Sequence, residues 1–143
     1  MKSASDDPFN LQRFVEAQAS MYSQVCEELR RRRKTGHWMW FIFPQIRGLG
    51  FSETSRYYAI SGREEAKAYL EHPVLGPRLR ECTRLILDIP DVSIDRILGF
   101  PDNLKFQSSM TLFAQAAEEN ESFMEVLRKY FGGAFDQQTL ARL

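Results

Sequence analysis

The chain has 143 residues, long enough for one domain with a real core, and its apolar and charged fractions are those of an ordinary globular protein. Its formal net charge is zero, which argues against a dedicated nucleic-acid binder with its large basic excess. Two cysteines make no disulfide framework. No apolar run approaches the ~20 residues of a membrane span, and the start "MKSASDDPFN" lacks the apolar centre of a secretory signal. The expected location is the cytoplasm.

Residues 1–6 read as a disordered lead and residues 7–143 as a single helical domain. Asp7-Pro8 is a helix-start signal, and Phe9, Leu11, Phe14, Val15 and Gln18 follow at helical spacing. After a break at Ala19-Ser20, Met21, Val25, Cys26 and Leu29 form a second stripe that runs into the basic segment Arg30 to Lys34. In the last turn of a helix these cations complement its negative end. An anion-binding patch is the functional reading of the same run. The charge is uneven: Arg30 to Lys34, Arg47, Arg56 and Arg63 meet a single acid, Glu53, within that stretch.

The segment "KTGHWMWFIFPQIRGLG", residues 34–50, is the ambiguous one. Its aromatic and β-branched content favours a strand. A lone strand would leave its backbone groups without partners, so Trp38 to Phe43 is expected to be a short buried helix. Farther along, "SGREEAKAYL" opens a capped helix that Pro73 ends near His72. "GPRLRECTRLILDI" puts Leu79, Cys82, Leu85, Ile86 and Ile89 on one face, and "SIDRILGF" is a short helix closed by Gly99. Pro101-Asp102 starts a helix with the seam Phe106, Met110, Phe113 and Ala117, "ESFMEVLRKYFGG" gives another with a glycine stop, and "DQQTLARL" is the last. The fold class is mainly α: a single multihelical domain of seven to nine short helices.

Few residues carry chemistry. Cys26, His37, His72 and Cys82 form no close ligand pair, so neither a metal site nor a cofactor is expected. Both cysteines lie on apolar helix faces and should be buried, reduced and unreactive. His37 stands between the basic run and the aromatic block, where it is either a boundary residue with backbone partners or a general acid/base beside an aromatic wall. Trp38 and Trp40 are core residues in the plain reading, although an indole also suits stacking of a flat ligand. Gln45 and Arg47 follow in a loop, where a guanidinium fork could hold phosphate or carboxylate. Lys105, Ser108 and Ser109 share a helix face bordering an apolar seam. The lysine there either pairs or snorkels while the serines permit close packing, or it serves as an anion or catalytic lysine.

The stretches "DPFNLQRFVEAQ", "HWMWFIFPQIRGLG", "YLEHPVLGPRL", "LKFQSSMTLF" and "YFGG" followed by "DQQTL" resemble the bacterial domain of unknown function family 1810, over Asp7 to Leu143. The resemblance implies one multihelical domain, a monomer, and brings no activity or catalytic residue with it. Members have at times been labelled calpastatin, yet such an inhibitor is a disordered repeat chain, whereas this one is apolar and compact.

The expected function is therefore a small-molecule site for an anionic, partly planar ligand such as a nucleotide or its fragment. His37 and Lys105 are the catalytic candidates if it is an enzyme, and Trp38, Gln45, Arg47, His72, Ser108 and Ser109 the binding ones. His37 and the Lys105–Ser109 face are expected to line one partly open pocket. The rival is a helical adaptor or regulatory module whose aromatic block is core or a docking surface. Nucleic-acid binding through Arg30 to Lys34 is the weaker third reading.

Overall fold

The chain folds into ten helices in a computed structural model that describes residues 6–143. The expected lead over residues 1–6 lies, apart from Asp6, outside the described residues. In chain order they are α1 (Gln12–Ala19), α2 (Tyr22–Arg30), α3 (Met39–Ile42), α4 (Glu53–Tyr57), α5 (Arg63–Glu71), α6 (Leu75–Leu87), α7 (Ile94–Leu98), α8 (Asp102–Ala116), α9 (Glu121–Phe131) and α10 (Gln137–Leu140). Among the described residues there is no sheet, only an isolated parallel bridge between Ile46 and Ile60. No helix among the described residues is long and apolar enough to cross a membrane.

The helix beyond the expected range is α4. It buries none of its residues and so shows no apolar stripe, and its signal is the cap alone: the Ser52 side chain accepts the Ser55 N–H. Two boundaries also differ from expectation. Asp7 does cap the first helix, its carboxylate accepting the Leu11 and Gln12 N–H groups, but residues 8–11 form turns and α1 begins only at Gln12. Helix α2 stops at Arg30, so most of the basic run lies beyond it. Arg32 adopts a left-handed φ of 64°, with its N–H on the Leu29 carbonyl and the Arg33 N–H on that of Glu28. That is a Schellman ending, which usually falls on glycine.

Helix α8 is the axle. It packs against α9, α5, α10 and α7, and is buried from Ser108 through Ala114 without a break. That all-round burial explains why its sequence is less clearly two-faced than its neighbours'. Phe106 and Phe113 anchor two aromatic series: Phe43 meets Phe106 edge-on at 4.8 Å, while Phe113 lies tilted at 5.3 Å against Tyr69, which meets Phe14 at 5.1 Å. The end of α5 and the start of α6 come so close that a Cβ on Gly76 would sit 2.1 Å from the Leu70 carbonyl oxygen. The α6 C-terminus is closed from α9, where Lys129 Nζ donates to the Leu87 and Ile89 carbonyls and Tyr130 Oη to that of Ile86.

The expected short helix at Trp38 to Phe43 is α3. Trp38, Met39, Ile42 and Phe43 are buried, whereas Trp40 and Phe41 are half-buried. One helical turn thus divides the two tryptophans between core and surface.

Candidate functional site

Trp38 belongs to the core. Its indole N–H donates to Glu28 Oε1 at 3.0 Å, and the same oxygen accepts the Thr35 and Gly36 N–H groups at 2.7 and 2.9 Å. The Gln24 amide donates to Oε2 at 2.8 Å. Burial pushes the Glu28 carboxyl up, but these backbone and side-chain bonds outweigh it and hold the group down at about 2. Glu28 therefore folds residues 35–38 around one charge and fixes where α3 begins.

Trp40, two residues on, turns the other way and lines a cavity of about 430 Å³. Its walls are Trp40, Phe51 and Tyr58, and its floor is Ile46 and Ala59. The bridge holds this wall together: Arg47 N–H donates to the Ile60 carbonyl and Ile60 N–H to that of Gln45. Behind it lies a buried clamp. Arg13, 8% exposed, donates to the Tyr57 and Ala59 carbonyls and pairs with Glu65, 3% exposed, at 2.8 Å. Glu65 also accepts the Ser61 N–H, so one ion pair positions the segment 57–61. Arg47 and Arg56 stand exposed at the rim. Neither guanidinium has a hydrogen bond or acid partner among the described residues, and no Asp or Glu lines the cavity.

A second, more open compartment of about 530 Å³ continues from the first, sharing Trp40, Gln45, Gly50, Phe51 and Ser55. It adds Leu104, Lys105, Ser108 and Asp136. Lys105 Nζ lies over the Trp40 ring at 4.7 Å and 3.7 Å from Asp102 Oδ1. Asp102 is held more tightly by Lys34, at 2.7 Å. Ser108 Oγ donates to Asp136 Oδ2 at 2.9 Å.

Of the residues singled out from sequence, Gln45, Arg47, Lys105 and Ser108 thus meet around Trp40. The other four do not line either compartment. His37 is exposed on the loop before α3. Trp38 is inside, as described. His72 Nδ1 accepts the Val74 and Leu75 N–H groups, which caps the start of α6. Ser109 is fully buried in α8, with its hydroxyl unpaired. Trp40, Phe51, Arg56, Tyr58 and Asp136 were not singled out as site residues. Trp40 carried a usable signal, since residues two apart on one helical turn face nearly opposite ways. The others come from separate segments, and no local spacing links them.

The shape and the sequence together decide the lineage. The family model for a protein of unknown function, DUF1810, matches residues 8–143. The chain belongs to this family. It is similar to the conserved hypothetical protein Rv1873 from Mycobacterium tuberculosis, a crystal structure, with 57% identity over 96% of this chain and 98% of that one, at a TM-score of 0.95. No curated protein matches it. The family relationship supports the helical fold and leaves the chemistry to be argued from the cleft. Among the described residues no three His, Cys, Asp or Glu side chains are grouped to hold a metal ion.

The cysteines meet elsewhere, between α2 and α6, both buried. The Cys82 thiol, hydrogen-bonded to the Cys26 sulfur, lowers Cys26 to about 7, while burial works against it and a hydrogen bond with Tyr22 assists. Cys82 is pushed up, first by that same bond and then by burial. Tyr22 and Glu81 are hydrogen-bonded beside them.

Proposed function

We propose that this protein binds an anionic, partly planar small molecule, of the size and kind of a nucleotide or its fragment, in the cleft beside Trp40. One observation carries the reading. Arg47 and Arg56 flank an aromatic-walled cavity that contains no carboxylate and gives neither guanidinium a partner. A planar guanidinium fork suits phosphate or carboxylate, and aromatic walls suit a flat ring. The volume of about 430 Å³ is in the range of small-molecule sites. The reading is one of binding, and His37 takes no part in it because it lies outside the cleft. In the same reading the protein acts as a cytoplasmic monomer and nucleic acid has no part, which sedimentation and a salt series of oligonucleotide binding would check.

The test is a thermal-shift screen of nucleotides and phosphorylated metabolites on the wild type, Arg47→Ala and Arg56→Ala. A ligand present at 100 times its dissociation constant stabilises the fold by roughly 2.7 kcal/mol. Such a shift, seen in the wild type and lost in both variants, is the expected result. A shift that survives both replacements would move the site elsewhere.

A second reading rests on exposed apolar side chains: Phe51 at 83% and Leu104 at 49% line the outer compartment, and Phe100 at 79% adjoins its Pro101. Contiguous apolar exposure of this kind also marks docking surfaces. A screen with no ligand hit, together with a partner whose binding is lost in Phe51→Ser, would favour an adaptor role.

A further inference from the structure

The outer compartment is chemically unlike the inner one. Asp136 reaches it from the start of α10, and its carboxylate is held from one side only. Oδ2 accepts the Ser108 hydroxyl at 2.9 Å, the Thr139 hydroxyl at 2.6 Å and the Thr139 N–H at 3.2 Å. Its own N–H is tied to Thr111 Oγ1 at 2.9 Å, so the backbone is fixed as well. With three donors crowded on Oδ2, Oδ1 is left with no protein partner among the described residues. The side-chain amide of Gln45, on the wall shared by both compartments, also makes no hydrogen bond there. Lys105 adds an ammonium whose one acid contact is long, at 3.7 Å, because Lys34 takes the other oxygen of Asp102 at 2.7 Å.

An oriented acceptor, an amide that donates and accepts, and an ammonium donor form a mixed set. A purely anionic group does not need it, and beside the carboxylate it would be repelled. Hydroxyl groups do suit it, since each both donates and accepts. Of two neighbouring hydroxyls, one could donate a hydrogen bond to Asp136 Oδ1 while both accept from Lys105 and Gln45. The inner compartment, one wall away, offers Arg47 and Arg56 to an anion. On the strength of the anion-site reading above, we propose that the ligand is a phosphorylated ribose, free or carrying a base. Its phosphate lies at Arg47 and Arg56, and its vicinal hydroxyls reach Asp136 through the outer compartment. Asp136 is then the residue that distinguishes ribose from deoxyribose.

Titration calorimetry of the whole chain with adenosine monophosphate, guanosine monophosphate, ribose 5-phosphate and the 2′-deoxy form of each tests this. The expected result is at least tenfold tighter binding of the ribose forms than of their deoxy partners. In Asp136→Asn that preference should collapse to within about twofold, by weakening the ribose forms alone. Asparagine caps a helix as well as aspartate does, so the fold is retained, and circular dichroism verifies it. Equal affinity for ribose and deoxyribose forms in the wild type would overturn the hydroxyl assignment while leaving the anion site standing. No binding of any phosphorylated compound would overturn both. Binding of the nucleotides without ribose 5-phosphate would show that the base is part of what is recognised.

Discussion

Replacing Glu28 should be among the costliest single changes near the site, and in a pH-dependent way. The carboxylate accepts four hydrogen bonds, from the Gln24 amide, the Thr35 and Gly36 N–H groups and the Trp38 indole. It is 6% exposed, and Trp38 is fully buried. In Glu28→Ala the indole N–H keeps no acceptor and cannot reach water, at about 1–3 kcal/mol, and the two backbone donors add to this wherever they stay dry. A total near 3–5 kcal/mol is expected. Glu28→Gln preserves shape and removes charge, which isolates the electrostatic part. A carboxyl held at about 2 rather than its usual 4.5 contributes on the order of 3 kcal/mol to folding at neutral pH. The sign follows from the direction: the folded value is depressed, so the contribution is complete above about 4.5 and disappears as the pH falls toward 2. Urea unfolding followed by tryptophan fluorescence, on wild type and Glu28→Gln from pH 7 to pH 3, gives the gap in stability. It should be widest at neutral pH and shrink steadily below pH 4.5. A gap that stays constant across that range, or is absent at pH 7, would refute the reasoning.

Three further outcomes are expected. Arg13→Ala or Glu65→Ala leaves a buried charge uncompensated and should cost about 3–5 kcal/mol in chemical denaturation; a loss under 1 kcal/mol would show that the clamp behind Tyr57–Ser61 is not structural. Arg32→Gly relieves a left-handed residue at the end of α2 and should stabilise the protein by roughly 1 kcal/mol, seen as a raised melting temperature; an unchanged or lowered value would contradict this. Cys26 and Cys82 should label slowly with a thiol reagent in the native protein. Although Cys26 is lowered to about 7, it is only 5% exposed and Cys82 not at all. Labelling of Cys26 at the rate of a free thiol would contradict the packing of α2 on α6.

Nearly all of the fold was legible from apolar spacing and from cap and stop signals, which together placed every helix but one. The exception, α4, buries nothing and could be found only from the Ser52 cap. Boundaries failed where side chains act at a distance: Asp7 caps from five residues before Gln12, and an arginine takes the left-handed position that glycine usually marks. The cleft was legible in part. Gln45, Arg47, Lys105 and Ser108 do meet there, but Trp40 rather than Trp38 is its wall, a distinction fixed by where α3 starts and hence by Glu28. Arg56, Tyr58 and Asp136 arrive through the Ile46–Ile60 bridge and the Thr111–Asp136 bond, contacts between segments distant in sequence. A buried Arg13 gave no signal at all, since arginine on an apolar helix face reads as surface until Glu65 is placed against it.

The central claim is that a phosphorylated planar ligand sits against Trp40, and the two indole N–H resonances test it most directly. Titration of ¹⁵N-labelled protein with adenosine and guanosine monophosphates should move the Trp40 indole signal and the amides of Gly48 to Phe51. The Trp38 indole, tied to Glu28 inside the core, should stay still. Movement confined to Arg31 to Lys34, or saturating concentrations that leave the Trp40 indole in place, would contradict the account.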